Sequence, residues 1–269
     1  MPNDLANLMD GVGPFAAGAA NVIMQLSRLP IGRGVAESRV DSGRLDKHPI
    51  KRFRTTLSFL VVAMWGTEEE RDALRHEINR VHAQVRSRPT DPVAYSAFDP
   101  KLQLWVAACL YKGLEDTYLW LHGTPDEATR EAIYRHGSCF GTTLQVPADM
   151  WPADRAAFEK YWDAELDQIE MDDVTRAYLT DLANLAFLPA PLSMILGPLN
   201  RLFTIGFLEP RFRDELGLPW TDRYQRIFDS LTRVVAAANR RLPRALREFP
   251  LNVYLWDVRR RLHSGRLVI

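Results

Sequence analysis

Residues Thr67–Val85, TEEERDALRHEINRVHAQV, decide how this chain reads. A threonine followed three positions later by Glu70 has the form of a capping box, in which each side chain satisfies the other residue's backbone N–H at a helix start. Leu74, Ile78, Val81 and Val85 then recur at the spacing of one apolar helical face, and His82 falls within that stripe. An imidazole there is directed at a core, as a hydrogen-bonded core residue or as a ligand, whereas His76 lies on the wet side of the same helix.

Outward from this helix the same period recurs. Helices are expected at about 14–28, 51–65, 68–88, 99–122, 126–140, 152–169, 172–186, 192–208, 221–240 and 251–262, with Asp99-Pro100, Thr124-Pro125-Asp126, Gly66 and Gly217-Leu218-Pro219 as punctuation. No run alternates strictly in twos. The fold class is therefore all-α, as one helical domain over 1–269 in which 1–13 is a flexible N-terminal segment. The helix from Lys101 carries Leu104, Trp105, Ala108, Tyr111 and Trp120, a bulky face suited to the centre of a bundle or to the wall of a flat pocket.

Composition narrows the function classes. The 269 residues are 46% hydrophobic, enough for a sizeable core, and 34 basic residues balance 34 acidic ones, so no overall field points to nucleic acid. The charge is uneven in detail: eight arginines lie between Arg240 and Arg266 against Glu248 and Asp257, either a solvated face or a surface for anionic lipid. Cys109 and Cys139 have no paired-ligand spacing, and no basic–apolar leader opens the chain, so a reducing, cytoplasmic setting is expected, with peripheral membrane contact as an option. Ala186–Leu208 is lipophilic but divided by Pro189, Pro191 and Pro198, so it reads as short buried helices or as an entrance lip that dips into lipid.

Several chemistries fail on spacing. His76 and His82 are six residues apart, about 240° around a helix, and cannot grip one metal ion as metalloprotease histidines do. Asp172-Asp173 lacks the further acidic partner of a terpene-cyclase metal motif and reads as a helix N-terminus. There is no GxSxG elbow, P-loop or dinucleotide fingerprint. What is left is the helix HPIKRFRTTLSFLVVAMW, 48–65, with Arg52, Thr55, Thr56 and Phe59 within two turns, directly before the His82 helix. A link as short as Gly66-Thr67 makes the two helices antiparallel neighbours, so that Arg52 and His82 approach one cleft.

These residues resemble a known family, that of the latex-clearing rubber oxygenases and the mycophenolate-pathway oxygenase. The resemblance is carried by MQLSRLPIGRGVAES at 24–38, HPIKRFRTTLSFLVVAMWGT at 48–67, INRVHAQV at 78–85, YSAFDPKLQLWVAACL at 95–110, and the later VPADMWP and LGLPW. It implies a mostly helical, globin-like core holding haem b, with His82 as the proximal iron ligand, its other nitrogen held by a hydrogen bond. Arg52 and Thr56 correspond to distal residues, and Glu37 to an upstream acid suggested as a base. Where rubber oxygenases carry a lysine this chain has Thr55, and Ser38-Arg39 replaces a histidine, so a lysine-capped iron and rubber itself are not expected. The expectation is a haem b-dependent oxygenase taking dioxygen and a small to medium apolar molecule, an isoprenoid or lipid alkene. A helical haem- or lipid-binding protein without turnover is the alternative, and an interaction module without cofactor a third reading.

Overall fold

The computed structural model describes residues 8–38 and 48–268, and apart from one isolated bridge between Arg86 and Ser96 its regular structure is helical. In chain order the α-helices are α1 (Val12–Leu26), α2 (Leu29–Ala36), α3 (Pro49–Trp65), α4 (Glu68–His82), α5 (Pro100–His122), α6 (Glu127–Gly137), α7 (Cys139–Thr143), α8 (Arg155–Leu166), α9 (Asp173–Ala183), α10 (Ala190–Phe207), α11 (Pro210–Leu216), α12 (Asp222–Asn239), α13 (Arg244–Arg247) and α14 (Leu251–His263). The all-α expectation holds. Of the N-terminal segment 1–13, residues 1–7 lie outside the described residues, and Leu8, Met9 and Asp10 are buried.

Helix α5 is the axis of the larger core. Asp99 caps it by accepting from the Lys101 N–H at 2.8 Å, Pro100 occupies the first turn where no N–H is needed, and Gly123 at φ +82° ends it. Leu104, Trp105, Ala108 and Tyr111 are buried on it as their spacing requires, packed against α1, α7 and α12. The Trp105 ring stacks on Trp162 of α8 with centroids 5.1 Å apart, and its indole N–H is shared between the Met24 and Gln25 carbonyls at 3.2 Å each. A smaller core joins Leu57, Val61 and Val62 of α3 to Leu74 and Ile78 of α4 and to Leu251, Leu255 and Val258 of α14. Phe59, Leu60 and Trp65 pack on both cores, so α3 is the seam between them.

Several segments depart from the sequence reading: α11 and α13 fall in no expected helix, and three others differ in extent, existence or burial. Helix α4 stops at His82 instead of running to 88; Val85 donates to the His82 carbonyl in a turn and its own carbonyl accepts from Ala97, so the chain leaves the helix to pair with 95–97. Helix α2 was not expected, because Pro30, Gly32 and Gly34 look like breakers; Gly32 is required because a Cβ there would come within 2.5 Å of Thr175 and 2.7 Å of the Leu26 carbonyl. Helix α10 is continuous through Pro198, and Leu192, Met194, Ile195 and Leu199 on it are exposed, not buried. The polar residues that divide the apolar run are what dock it: Asn200 donates to the Ala183 carbonyl at 2.8 Å, Arg201 to Asn184 at 3.3 Å, and Gly197 lets the Asn184 carbonyl approach. With its polar side turned to α9, the apolar residues face out. Among the described residues no helix is long and apolar enough to cross a membrane.

Candidate functional site

The capping box forms as its residues dictate. The Glu70 N–H donates to the Thr67 hydroxyl at 3.3 Å, the Thr67 N–H to the Glu70 carboxylate at 2.9 Å, and the same carboxylate accepts from Arg259 of α14 at 2.9 Å. This end of α4 is therefore pinned, and the helix runs back along α3 to deliver His82 near the start of α3, where Arg52 stands one turn in. Thr67→Ala should cost about 1 kcal/mol of stability, read as a shift in urea midpoint, since it orphans a first-turn N–H.

His82 is half-buried, its Nδ1 is enclosed with no hydrogen-bond partner among the described residues, and its ring meets Phe98 edge-on at 6.3 Å. The expected hydrogen bond to the second nitrogen is thus not supplied at Nδ1. Burial, and then the positive charge of Arg52, push the imidazole pKa down to about 4. His82 also sits at the C-terminus of α4, where the helix dipole favours a cation, but that effect is worth about 1 kcal/mol at most for an ordinary site and is outweighed. The ring is neutral through the physiological range. Because the folded chain holds this pKa below the ordinary 6.5, the unfolded state takes up the proton first as pH falls. Stability from this group is complete above about pH 6.5 and is lost toward pH 4. His82→Gln should remove about 2 kcal/mol of the difference between urea unfolding at pH 7 and at pH 4.5; an unchanged difference would exclude a buried neutral ring.

Arg52 is exposed, yet desolvation by the surrounding protein lowers its pKa, and the Tyr178 phenol of α9 is near enough to oppose that shift. The guanidinium is thus in contact with solvent while protein crowds its surroundings. Among the described residues no carboxylate pairs with it. Thr56, one turn on, is half-buried and donates its hydroxyl to the Arg52 carbonyl at 3.0 Å, and Thr55 is half-buried beside it. The α3–α4 hairpin thus brings Arg52 into electrostatic reach of His82, with Thr56 on the same helix. Glu37 is not brought to them: it is exposed at the end of α2, and its carboxylate is tied to Arg33, which also pairs with Asp172. Asp172 itself caps α9 by accepting from Thr175 at 2.9 Å, the helix-start role read from the sequence.

Sequence reasoning missed Tyr178 and Phe98. Tyr178 belongs to a helix stripe with Thr175, Leu179 and Leu182 that reads as plain core, and nothing local says that α9 passes α3. A separate concavity of about 270 Å³ lies between α5 and α8, but its cations are already matched, Lys112 by Glu115 at 3.2 Å and by the Trp162 ring, and Arg155 by Glu127 at 2.7 Å. Among the described residues no three His, Cys, Asp or Glu side chains gather as a metal cage.

A family model described as ER-bound oxygenase mpaB/B′/rubber oxygenase, catalytic domain, matches residues 6–237. An uncharacterized protein of Mycobacterium bovis and one of Mycobacterium tuberculosis are each 48% identical over 251 residues, 93% of this chain and 98% of the relative. No solved structure matches this chain.

Proposed function

The chain belongs to the mpaB/rubber oxygenase catalytic-domain family, and from that membership we propose that it is a haem b-dependent oxygenase acting on a small to medium apolar alkene, an isoprenoid or a lipid. The observation that carries the cofactor is the enclosed Nδ1 of a neutral imidazole, without a hydrogen-bond partner among the described residues, within the field of an arginine that no described carboxylate pairs with. An enclosed nitrogen without a partner costs free energy in the absence of a ligand, and neutral imidazole is the form that binds iron. The residues present fit the group.

In this reading His82 holds the iron, and the macrocycle when bound supplies the oxygen chemistry. Arg52 provides a fixed positive charge, for a propionate or for negative charge that develops at the reacting centre. The Thr56 hydroxyl, now donating to a backbone carbonyl, keeps its oxygen as an acceptor toward the cleft and can exchange partners by rotation. Phe98 and the half-buried Tyr178 give the cleft walls, and the adjoining cores exclude water from one side. Glu37, engaged with Arg33, is assigned no proton transfer here. A globin-like arrangement belongs to the same reading and rests on the family alone.

The test is expression with haem supply, followed by a pyridine haemochrome assay and by oxygen uptake with an isoprenoid alkene. Haem near one per chain together with alkene-dependent uptake is the expected result. Haem without uptake would favour the non-catalytic carrier, and a colourless protein that takes up no added haem would remove the cofactor.

A further inference from the structure

We propose that the C-terminal face around α13 and α14 docks on an anionic lipid surface. Leu255 and Val258 on one side of α14, with Leu251 at its start, are buried against α3, as the apolar period of that helix requires. The opposite side is open among the described residues. Val253 is 47% and Trp256 58% exposed there, and the preceding turn adds Phe249 at 58% and Leu246 at 60%. Side chains of this size, so exposed and so close along the chain, make a coherent apolar face and not the scattered exposure of an ordinary surface.

The charges beside it state what it meets. Val253, Trp256 and Arg260 follow 3–4 spacing and share one side of α14, with the Arg260 guanidinium 5.4 Å from the Trp256 ring centroid. Arg240, Arg241, Arg260 and Arg266 are all exposed, and none pairs with a carboxylate among the described residues; Arg240 and Arg241 donate to backbone carbonyls instead. Tryptophan, phenylalanine and leucine with Arg260 on the same side, followed and preceded in the same C-terminal segment by exposed arginines that no described carboxylate pairs with, is the composition of an interfacial element, whose rings enter the headgroup boundary while the cations meet lipid phosphates. A second copy of this chain fits less well, because a two-fold contact would set the same arginines against each other. The face lies beyond residue 237, outside the stretch that the oxygenase family model matches, so it is separate from the activity proposed above. It is nevertheless coupled to the site helix: Arg54, two residues after Arg52, reaches Asp257 of α14 at 3.6 Å.

The experiment is flotation of the full chain with phosphatidylcholine vesicles, with or without phosphatidylglycerol. Recovery with the phosphatidylglycerol vesicles alone, falling in high salt, is expected. The Phe249→Ser/Trp256→Ser variant should bind these vesicles at least about tenfold more weakly. The Arg241→Gln/Arg260→Gln/Arg266→Gln variant should lose about a hundredfold, from roughly a fivefold effect at each cation. Both variants alter exposed residues, and unchanged thermal melts by circular dichroism would confirm that they fold. Absence of flotation at low salt, or equal flotation of the parent and the Phe249/Trp256 variant, overturns the proposal. So does a concentration-dependent dimer of the parent that the same variant abolishes, which would assign the face to a second copy.

Discussion

His82→Ala, expressed with haem supply, should yield a protein with little or no Soret absorbance and with alkene-dependent oxygen uptake at background. The effect should exceed the ten- to hundredfold loss typical of altering a residue that merely supports a metal ligand, because here the donor itself is removed. Among the described residues His76 lies on the exposed side of α4, His48 is exposed at the start of α3, and Arg52 and Thr56 offer no nitrogen base to iron. Arg52→Gln is the informative companion. It keeps the ligand but removes the charge that helps hold the imidazole neutral, so the His82 pKa should rise from about 4 and haem should be retained. A Soret band of parental strength in His82→Ala would sink the ligand assignment while leaving family membership untouched.

The largest effect on stability is expected at the other end of the core, at Trp105. Its side chain is fully buried, stacked between Trp162 at 5.1 Å and Phe212 at 6.4 Å, and its N–H satisfies two carbonyls in the last turn of α1. Trp105→Ala should cost about 3–5 kcal/mol in urea unfolding, from the lost burial and the cavity left behind, in a protein whose whole stability is of the order of 5–15 kcal/mol. Trp105→Phe separates the two contributions. It retains most of the apolar contact but takes the indole donor from the Gln25 carbonyl and from the Met24 carbonyl, which still accepts from Ser27, for about 1–2 kcal/mol. A loss below about 1 kcal/mol in the alanine variant would mean that α5 is not the axis of the core.

These two residues differ in how far they can be read from the chain alone. Trp105 is legible because everything that buries it is periodic: Leu104, Ala108 and Tyr111 recur on one helical face, and Asp99-Pro100 places the helix start. The beginning of α4 is legible for the same reason, since a capping box is an interaction across three residues. Its end is not, because where α4 stops depends on Val85 meeting Ala97 across a turn, a contact that no helical period encodes. Helix α2 was hidden behind glycines whose purpose is set by Thr175, some 140 positions away. Helix α10 was expected at 192–208, but which way its apolar side turns was left open for a like reason, as Asn200 and Arg201 interrupt its apolar run only until α9 is seen accepting their hydrogen bonds.

The candidate site divides in the same way. That Arg52 and His82 share one end of a hairpin follows from two adjacent helices and a link too short to allow another arrangement. Whether His82 has a partner, whether Arg52 meets a carboxylate, and that Tyr178 stands by while Glu37 is held elsewhere by Arg33, were decided by helices distant in sequence. Local order, periodicity and caps act over a few residues, so the chain by itself determined the helices, their all-α class and the α3–α4 hairpin. Burial, desolvation and charge pairing act through space, so only the packed structure decided which imidazole is enclosed and, among the described residues, which arginine meets no carboxylate and which apolar face is exposed.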